Sequence, residues 1–301
     1  MDSDVIHEFG ENKDWNESFY FNLYDRGNDI LGFMRIGLVP NKKEKTAFCY
    51  FLMPDGSTIG TRAKSEMADN DLAAGGLRLE MIESEKKWAI RFEGELPRQL
   101  KDEVSKVNVK FDLEYEGLNE MFDYRNAVSG DKEIISQNFA TEHFEQFGKV
   151  KGTITIGDRE YAVDALGERD HSWGVRDWSA AGRWVWITCQ FNEGYAFNIT
   201  KLYTDKGEID AGFIHQDGVT LPIVKVDMAH EFDAEGTPSE LYLAMYDKDG
   251  DVYGVKAVVK RKVMLPMNED EKRTPVIFET LAKFKLDDDV GYGVLEYLLR
   301  K

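Results

Sequence analysis

The 301-residue chain is short of cysteine, proline, basic charge and uninterrupted apolar sequence. It holds two cysteines and seven prolines. Cys49 and Cys189 lie far apart in apolar, strand-like runs, which points to buried thiols rather than to a disulfide framework. Lysine and arginine total 38 against 56 aspartates and glutamates, a net charge of −18. That excess repels phosphate backbones and anionic headgroups, so neither nucleic acid nor a membrane surface is expected as a partner. No uncharged apolar stretch approaches the roughly 18 residues that span a bilayer. Met1-Asp2-Ser3-Asp4 lacks the basic and apolar segments of a secretory leader, so a cytoplasmic location is expected.

Several motifs are missing as well. There is no GxxxxGK[ST] or GxGxxG phosphate cradle and no GxSxG elbow, so no organic cofactor is expected. His7, His143, His171, His215 and His230 form no HxH or HExxH spacing. A metal site would have to be assembled from distant segments, and none is expected. Asp247, Asp249 and Asp251 imitate the start of an EF-hand loop, but valines stand at 252 and 258 where the loop needs glycine and glutamate. The segment reads as a hairpin turn, and Asp287-Asp288-Asp289 as another.

What the chain has in quantity is strand pattern. Val107, Val109, Phe111, Leu113 and Tyr115 alternate with Asn108, Lys110, Asp112 and Glu114, and Trp88, Ile90 and Phe92 repeat the theme. Side chains on a strand point alternately to opposite faces, so each segment has one apolar and one wet face. Turn signals punctuate the chain at 25–28, 54–56, 192–194, 205–207, 216–218 and 247–250, each with a Gly or Asn able to take positive φ. Helices are expected only at Pro97 to Lys106 and Glu133 to Phe147. The pattern predicts an all-β fold of antiparallel strands in two barrel-like or sandwich domains, residues 1–160 and 161–301, with few short helices.

One stretch is chemically dense. Residues 164–191 contain Trp173, Trp178, Trp184 and Trp186, four of the six tryptophans, interleaved with Arg169, Asp170, His171, Arg176, Asp177 and Arg183. If 169–173 is extended, Arg169, His171 and Trp173 share one face while Asp170 and Ser172 share the other. Any partner that orients His171 must then come from elsewhere. On the next strand Trp184, Trp186, Thr188 and Gln190 share a face that mixes aromatics with hydrogen-bonding groups, as a ligand cavity wall does. The competing reading is structural, with Arg and Asp closing a barrel end around tryptophans whose indole N–H groups need partners. His143, Tyr24, Arg35 and 291–297 are weaker candidates.

The run Glu168-Arg169-Asp170-His171-Ser172-Trp173-Gly174-Val175-Arg176-Asp177-Trp178 resembles the two-domain, lipocalin-like superfamily that contains hydroxyneurosporene synthase, a carotenoid hydratase, and in particular its uncharacterised bacterial branch. Residues 18–25, 142–146 and 291–297 fit the same branch. The resemblance implies two lipocalin-like β domains side by side, with a ligand cavity at or near their junction. In the hydratase, the His and Trp of the motif and an acidic residue on the following strand are implicated. His171 and Trp173 match, whereas the following strand, Tyr195-Ala196-Phe197-Asn198-Ile199-Thr200, carries no carboxylate.

The expected function is a cofactor-free lyase or isomerase of hydratase–dehydratase type on a hydrophobic, terpenoid-like small molecule. His171 or Asp177 would be the general acid and Arg176 its support. Trp173, Trp178, Trp184 and Trp186, with Thr188, Tyr24 and Asn198, would line the substrate cavity. Two alternatives stand beside it: a non-catalytic binder of a hydrophobic ligand, and a cyclase or pericyclase that works by shape.

Overall fold

The computed structural model describes residues 3–127, 142–175, 181–205, 207–234, 236–266 and 276–299. In chain order the strands are β1 (Trp15–Asp25), β2 (Ile30–Val39), β3 (Glu44–Leu52), β4 (Thr58–Glu66), β5 (Ala73–Ala74), β6 (Leu77–Glu83), β7 (Lys87–Leu100), β8 (Glu103–Gly117), β9 (Phe122–Asp123), β10 (Glu142–Ile156) and β11 (Arg159–Val175). There follow β12 (Ala181–Asn192), β13 (Tyr195–Thr204), β14 (Gly207–Gln216), β15 (Val219–Phe232), β16 (Pro238–Asp247), β17 (Val252–Pro266), β18 (Val276–Leu286) and β19 (Asp289–Leu299). The six turns read from the sequence each join consecutive strands. Asp247 acts as a turn cap: its Oδ1 accepts the N–H groups of Asp249 (2.9 Å) and Asp251 (3.0 Å). Cys49 and Cys189 are free, buried thiols.

The chain divides into one unit of Met1–Asp123 with Gln137–Arg176 and a second of Tyr124–Ser136 with Asp177–Lys301. The division expected at 160/161 therefore moves. β11 is hydrogen-bonded along its length, to β10 from Arg159 to Trp173 and to β1 from Leu166 to Val175, so its ladders keep it whole in the first unit. The expected helix at Pro97 to Lys106 is instead a hairpin. Leu96 to Leu100 pairs with Glu103 to Val107, because the alternating strand that follows needs an extended partner. Of the helix expected at Glu133 to Phe147, residues 142–147 open β10, and 133–141 lie outside the described residues.

In the first unit the strand order is β4-β3-β2-β1-β11-β10-β8-β7-β6-β5, with β9 on β10. β4 also pairs with β7 through Thr58–Gln99 and Ile59–Arg98, so the path returns on itself. Its core face gathers Phe19, Phe21, Met34, Trp88, Phe111, Leu113 and Tyr115, while Lys110, Asp112 and Glu114 stay exposed as the alternation requires. Gly148 faces Gly167 across β10 and β11, and the Tyr115 ring occupies the space that a Cβ on Gly148 would need. The Tyr115 hydroxyl there donates to the Gln146 carbonyl at 2.6 Å. In the second unit β12 to β19 form a closed barrel in chain order, filled by side chains such as Ile187, Phe197, Met245, Phe278, Phe284 and Tyr297. Among the described residues no helix is long and apolar enough to cross a membrane.

His230 on β15 lies 3.0 Å from the Tyr297 hydroxyl. Burial first, then the positive charges of Arg183 and Lys201, push its pKa down to about 4. The folded state thus prefers the neutral ring, while in the unfolded chain the ring protonates below a pKa of about 6.5. The stabilisation is complete above pH 6.5 and is lost as pH falls toward 4. With solvent screening at this half-buried site, about 1–2 kcal/mol is expected to disappear across that window. Urea midpoints of wild type and His230→Gln should converge on acidification; parallel curves would refute the assignment.

Candidate functional site

β11 carries the dense motif between β1 and β10. Register places His171 opposite Phe19 and Phe144, and Arg169 opposite Phe21 and Gln146. Asp170 stands opposite Tyr20 and Glu145, and Ser172 opposite Ser18 and His143. Residues directly opposite on an antiparallel pair point to the same face. Arg169, His171 and Trp173 therefore lie on the core face, and Asp170 and Ser172 on the other.

The core-face partners come from the N-terminal segment. Arg169 donates through Nε to Gln146 (2.7 Å) and through its two terminal nitrogens to both oxygens of Asp4 (2.5 and 3.2 Å). The Asp4 carboxylate also accepts the N–H of Glu85, and the Ser3 hydroxyl reaches Glu85 Oε1 at 2.6 Å. His171 Nδ1 lies 2.5 Å from the Ser3 carbonyl and Nε2 lies 2.9 Å from Glu17 Oε1. His7 places Nδ1 2.7 Å from the same Glu17 oxygen. Its ring stacks on Trp173 at 3.6 Å, and His171 stacks on Phe19 at 3.9 Å. All of these groups are buried except His7 and Glu85, so the motif's core side serves to bind residues 3–7 of the same chain.

The opposite face of the same strands is also polar and largely buried. Across β2, β1, β11 and β10 run three rows: Phe33–Asn22–Glu168–Phe147, Arg35–Tyr20–Asp170–Glu145 and Gly37–Ser18–Ser172–His143. Glu145 and Glu168 are fully buried carboxylates. His143 Nε2 is 2.9 Å from Glu145 Oε1 and 3.4 Å from Asp170 Oδ2, and the Ser172 hydroxyl donates to Asp170 Oδ1 at 2.8 Å. Arg35 is fixed by Ser18 (2.6 Å), Asn16 and Thr46. An imidazole held between two carboxylates, one of them oriented by a hydroxyl, can take up a proton and pass it on.

In the second unit Trp184, Trp186, Thr188 and Gln190 lie on the side of β12 opposite Val185, Ile187 and Cys189, which fill the barrel. Asn198 and Thr200 share that side through the pairs Thr188–Asn198 and Trp186–Thr200. The Tyr124 hydroxyl, also in this unit, donates to Asn198 Oδ1 and lies 3.2 Å from Thr200 Oγ1. Trp186, Thr188 and Asn198 are buried, and Trp184 is half-buried.

The residues singled out from sequence are thus divided. His171 and Trp173 lie on the first unit's core face, and Trp184, Trp186, Thr188 and Asn198 on the second unit's outer face. Tyr24 stands near the far end of β1, its hydroxyl on Asp29 at 2.7 Å. Arg176, Asp177 and Trp178 lie outside the described residues. Glu17, Asp4 and Ser3 escape any local reading, because they meet the motif across more than 150 positions. Glu145 had a signal: on a strand it shares a face with His143, two residues away.

Residues 1–300 match DUF7064, a domain of unknown function. The chain belongs to this family. No curated protein matches this DUF7064 sequence. Solved structures do. CghA bound to Sch210972 is 10% identical, covers 96% of this chain and 89% of its own, and superposes with a TM-score of 0.63. Kievitone hydratase from Nectria haematococca is 12% identical, with 94% and 88% covered and a TM-score of 0.63. The NE1406 protein of Nitrosomonas europaea is 12% identical, with 94% and 92% covered and the same score. At such identities the likeness is one of fold, shared along nearly the whole DUF7064 chain.

Proposed function

We propose that this DUF7064 chain is a lyase or isomerase of hydratase–dehydratase type, acting on a hydrophobic, terpenoid-like small molecule by general acid–base catalysis. The observation that carries the reading is His143, held within 2.9 Å of Glu145 and 3.4 Å of Asp170 on a buried sheet face. The shared fold with an enzyme named as a hydratase supports it, as does the structure of CghA with Sch210972. In the hydration direction the protonated member of the trio delivers a proton to one alkene carbon. Water adds to the other carbon and gives up its proton to a carboxylate, so the net change is H and OH across the double bond. Ser172 orients Asp170, and Arg35, two strands away in the same row, supplies fixed positive charge.

The aromatic face around Trp186, with its polar Asn198, Thr200 and Tyr124, supports binding of an apolar ligand that carries an oxygen. Native mass spectrometry of the purified chain should show a co-purified apolar molecule. Incubated in deuterated water, that molecule or its dehydrated form should acquire deuterium at carbon, together with a mass change of one water or an isomeric shift. Retention with unchanged mass and no deuterium would instead identify a binding protein.

A further inference from the structure

The His7–Glu17–His171 cluster plays no part in the acid–base reading. We propose that these three residues bind a divalent first-row transition ion of the zinc type, which fastens the N-terminal segment to β1 and β11. Their donor atoms all lie within 4.8 Å of one another. The hydrogen-bond inventory points the same way. A carbonyl oxygen only accepts, so His171 Nδ1, 2.5 Å from the Ser3 carbonyl, carries the ring hydrogen. In the neutral ring Nε2 is then a lone pair, and it faces Glu17 Oε1 at 2.9 Å. Two lone pairs at that distance need a cation between them, a proton or a metal ion. A histidine whose Nδ1–H is held by a backbone carbonyl, with Nε2 directed at a carboxylate, has the outer-sphere arrangement typical of metal-binding histidines.

His7 completes the set with Nδ1, 2.7 Å from the same carboxylate oxygen, while its backbone N–H orients Glu17 through Oε2 at 3.1 Å. Two imidazoles and one carboxylate suit Zn²⁺, Co²⁺ or Fe²⁺ rather than Ca²⁺ or Mg²⁺. Tetrahedral ligation at about 2.0–2.1 Å separates donor atoms by roughly 3.3 Å, so they must open by about half an ångström. His7 can supply its share of that movement, since residues 6–10 belong to no helix or strand, and the Glu17 side chain supplies the rest by rotation about its own torsions. Phe19 and Trp173 hold the two rings from the sides. A second group, His143, Glu145 and Asp170, has comparable spacing and serves as the internal control.

The full chain, stripped with a chelator and titrated with Co²⁺ alone, should develop the d–d absorption of a bound ion. Zn²⁺ should displace it, with one equivalent per chain by elemental analysis. His7→Ala and Glu17→Gln should each weaken Co²⁺ by more than the roughly 10–100-fold that loss of an outer-sphere partner costs. His143→Ala should leave the absorption and stoichiometry intact. Because His7 lies on the N-terminal segment, its variant reports on the ion even if Glu17→Gln fails to fold. Absence of any cobalt spectrum would overturn the proposal and leave a proton as the cation, in an imidazolium–carboxylate pair. A spectrum that survives His7→Ala, or one abolished by His143→Ala, would overturn it equally.

Discussion

Arg169→Met should lower the stability of the chain by about 3–5 kcal/mol, the cost of stranding one member of a buried ion pair. Arg169 and Asp4 have side chains 2% and 0% exposed, and the guanidinium meets both Asp4 oxygens as well as Gln146. Each charge is tolerated inside the sheet only because the other is there. Once the guanidinium is gone, the Asp4 carboxylate keeps the Glu85 N–H but has lost its counter-charge. Residues 3–7 must then leave, or Asp4 must take up a proton, and either costs free energy. The double variant Asp4→Asn/Arg169→Met removes both charges and should recover most of the loss. Urea unfolding of the wild type, both single variants and the double variant closes the cycle. A single variant within about 0.5 kcal/mol of wild type, the range of ordinary surface substitutions, would show that this contact does not hold the segment in place.

That expectation concerns a motif whose sidedness was legible and whose purpose was not. Alternation along 169–173 separates His171 from Asp170, and the register confirms the separation. The strands themselves were equally legible: the inward Val109, Phe111, Leu113 and Tyr115 and the six turns all follow from period and turn chemistry. Two features hid the rest. Residues 142–147 read locally as helix, and on a helix His143 and Glu145 would point apart; only pairing with β11 makes them same-face neighbours. The density of tryptophan and arginine over 164–191 also suggested one constellation, yet the unit boundary at Arg176 and Asp177 runs through it. Sequence proximity there reflects a crossing between units, whereas Ser3 meets His171 from 168 positions away with no local pattern to announce it.

His143→Ala and Asp170→Asn should each reduce turnover at least ~100-fold, the lower end of what a positioned acid–base group contributes. The two variants remove different things. His143→Ala deletes the proton carrier, while Asp170→Asn keeps shape and an oxygen for the Ser172 hydroxyl but cannot hold a negative charge. His143 Nε2 carries at most one hydrogen, and two carboxylates lie within 3.4 Å of it, so in the proposed reaction the three groups would act as a unit. The losses should therefore not add: the double variant should fall little below the worse single one. A group that acts in the transition state lowers kcat and kcat/KM together, whereas a group that only shapes the binding face raises KM alone. The pH profile supplies a second reading, since removing the shared proton site should erase one limb of a bell-shaped dependence. If both variants keep near-normal kcat with an unaltered pH profile, proton transfer does not run through this trio, and the chemistry belongs elsewhere in the chain.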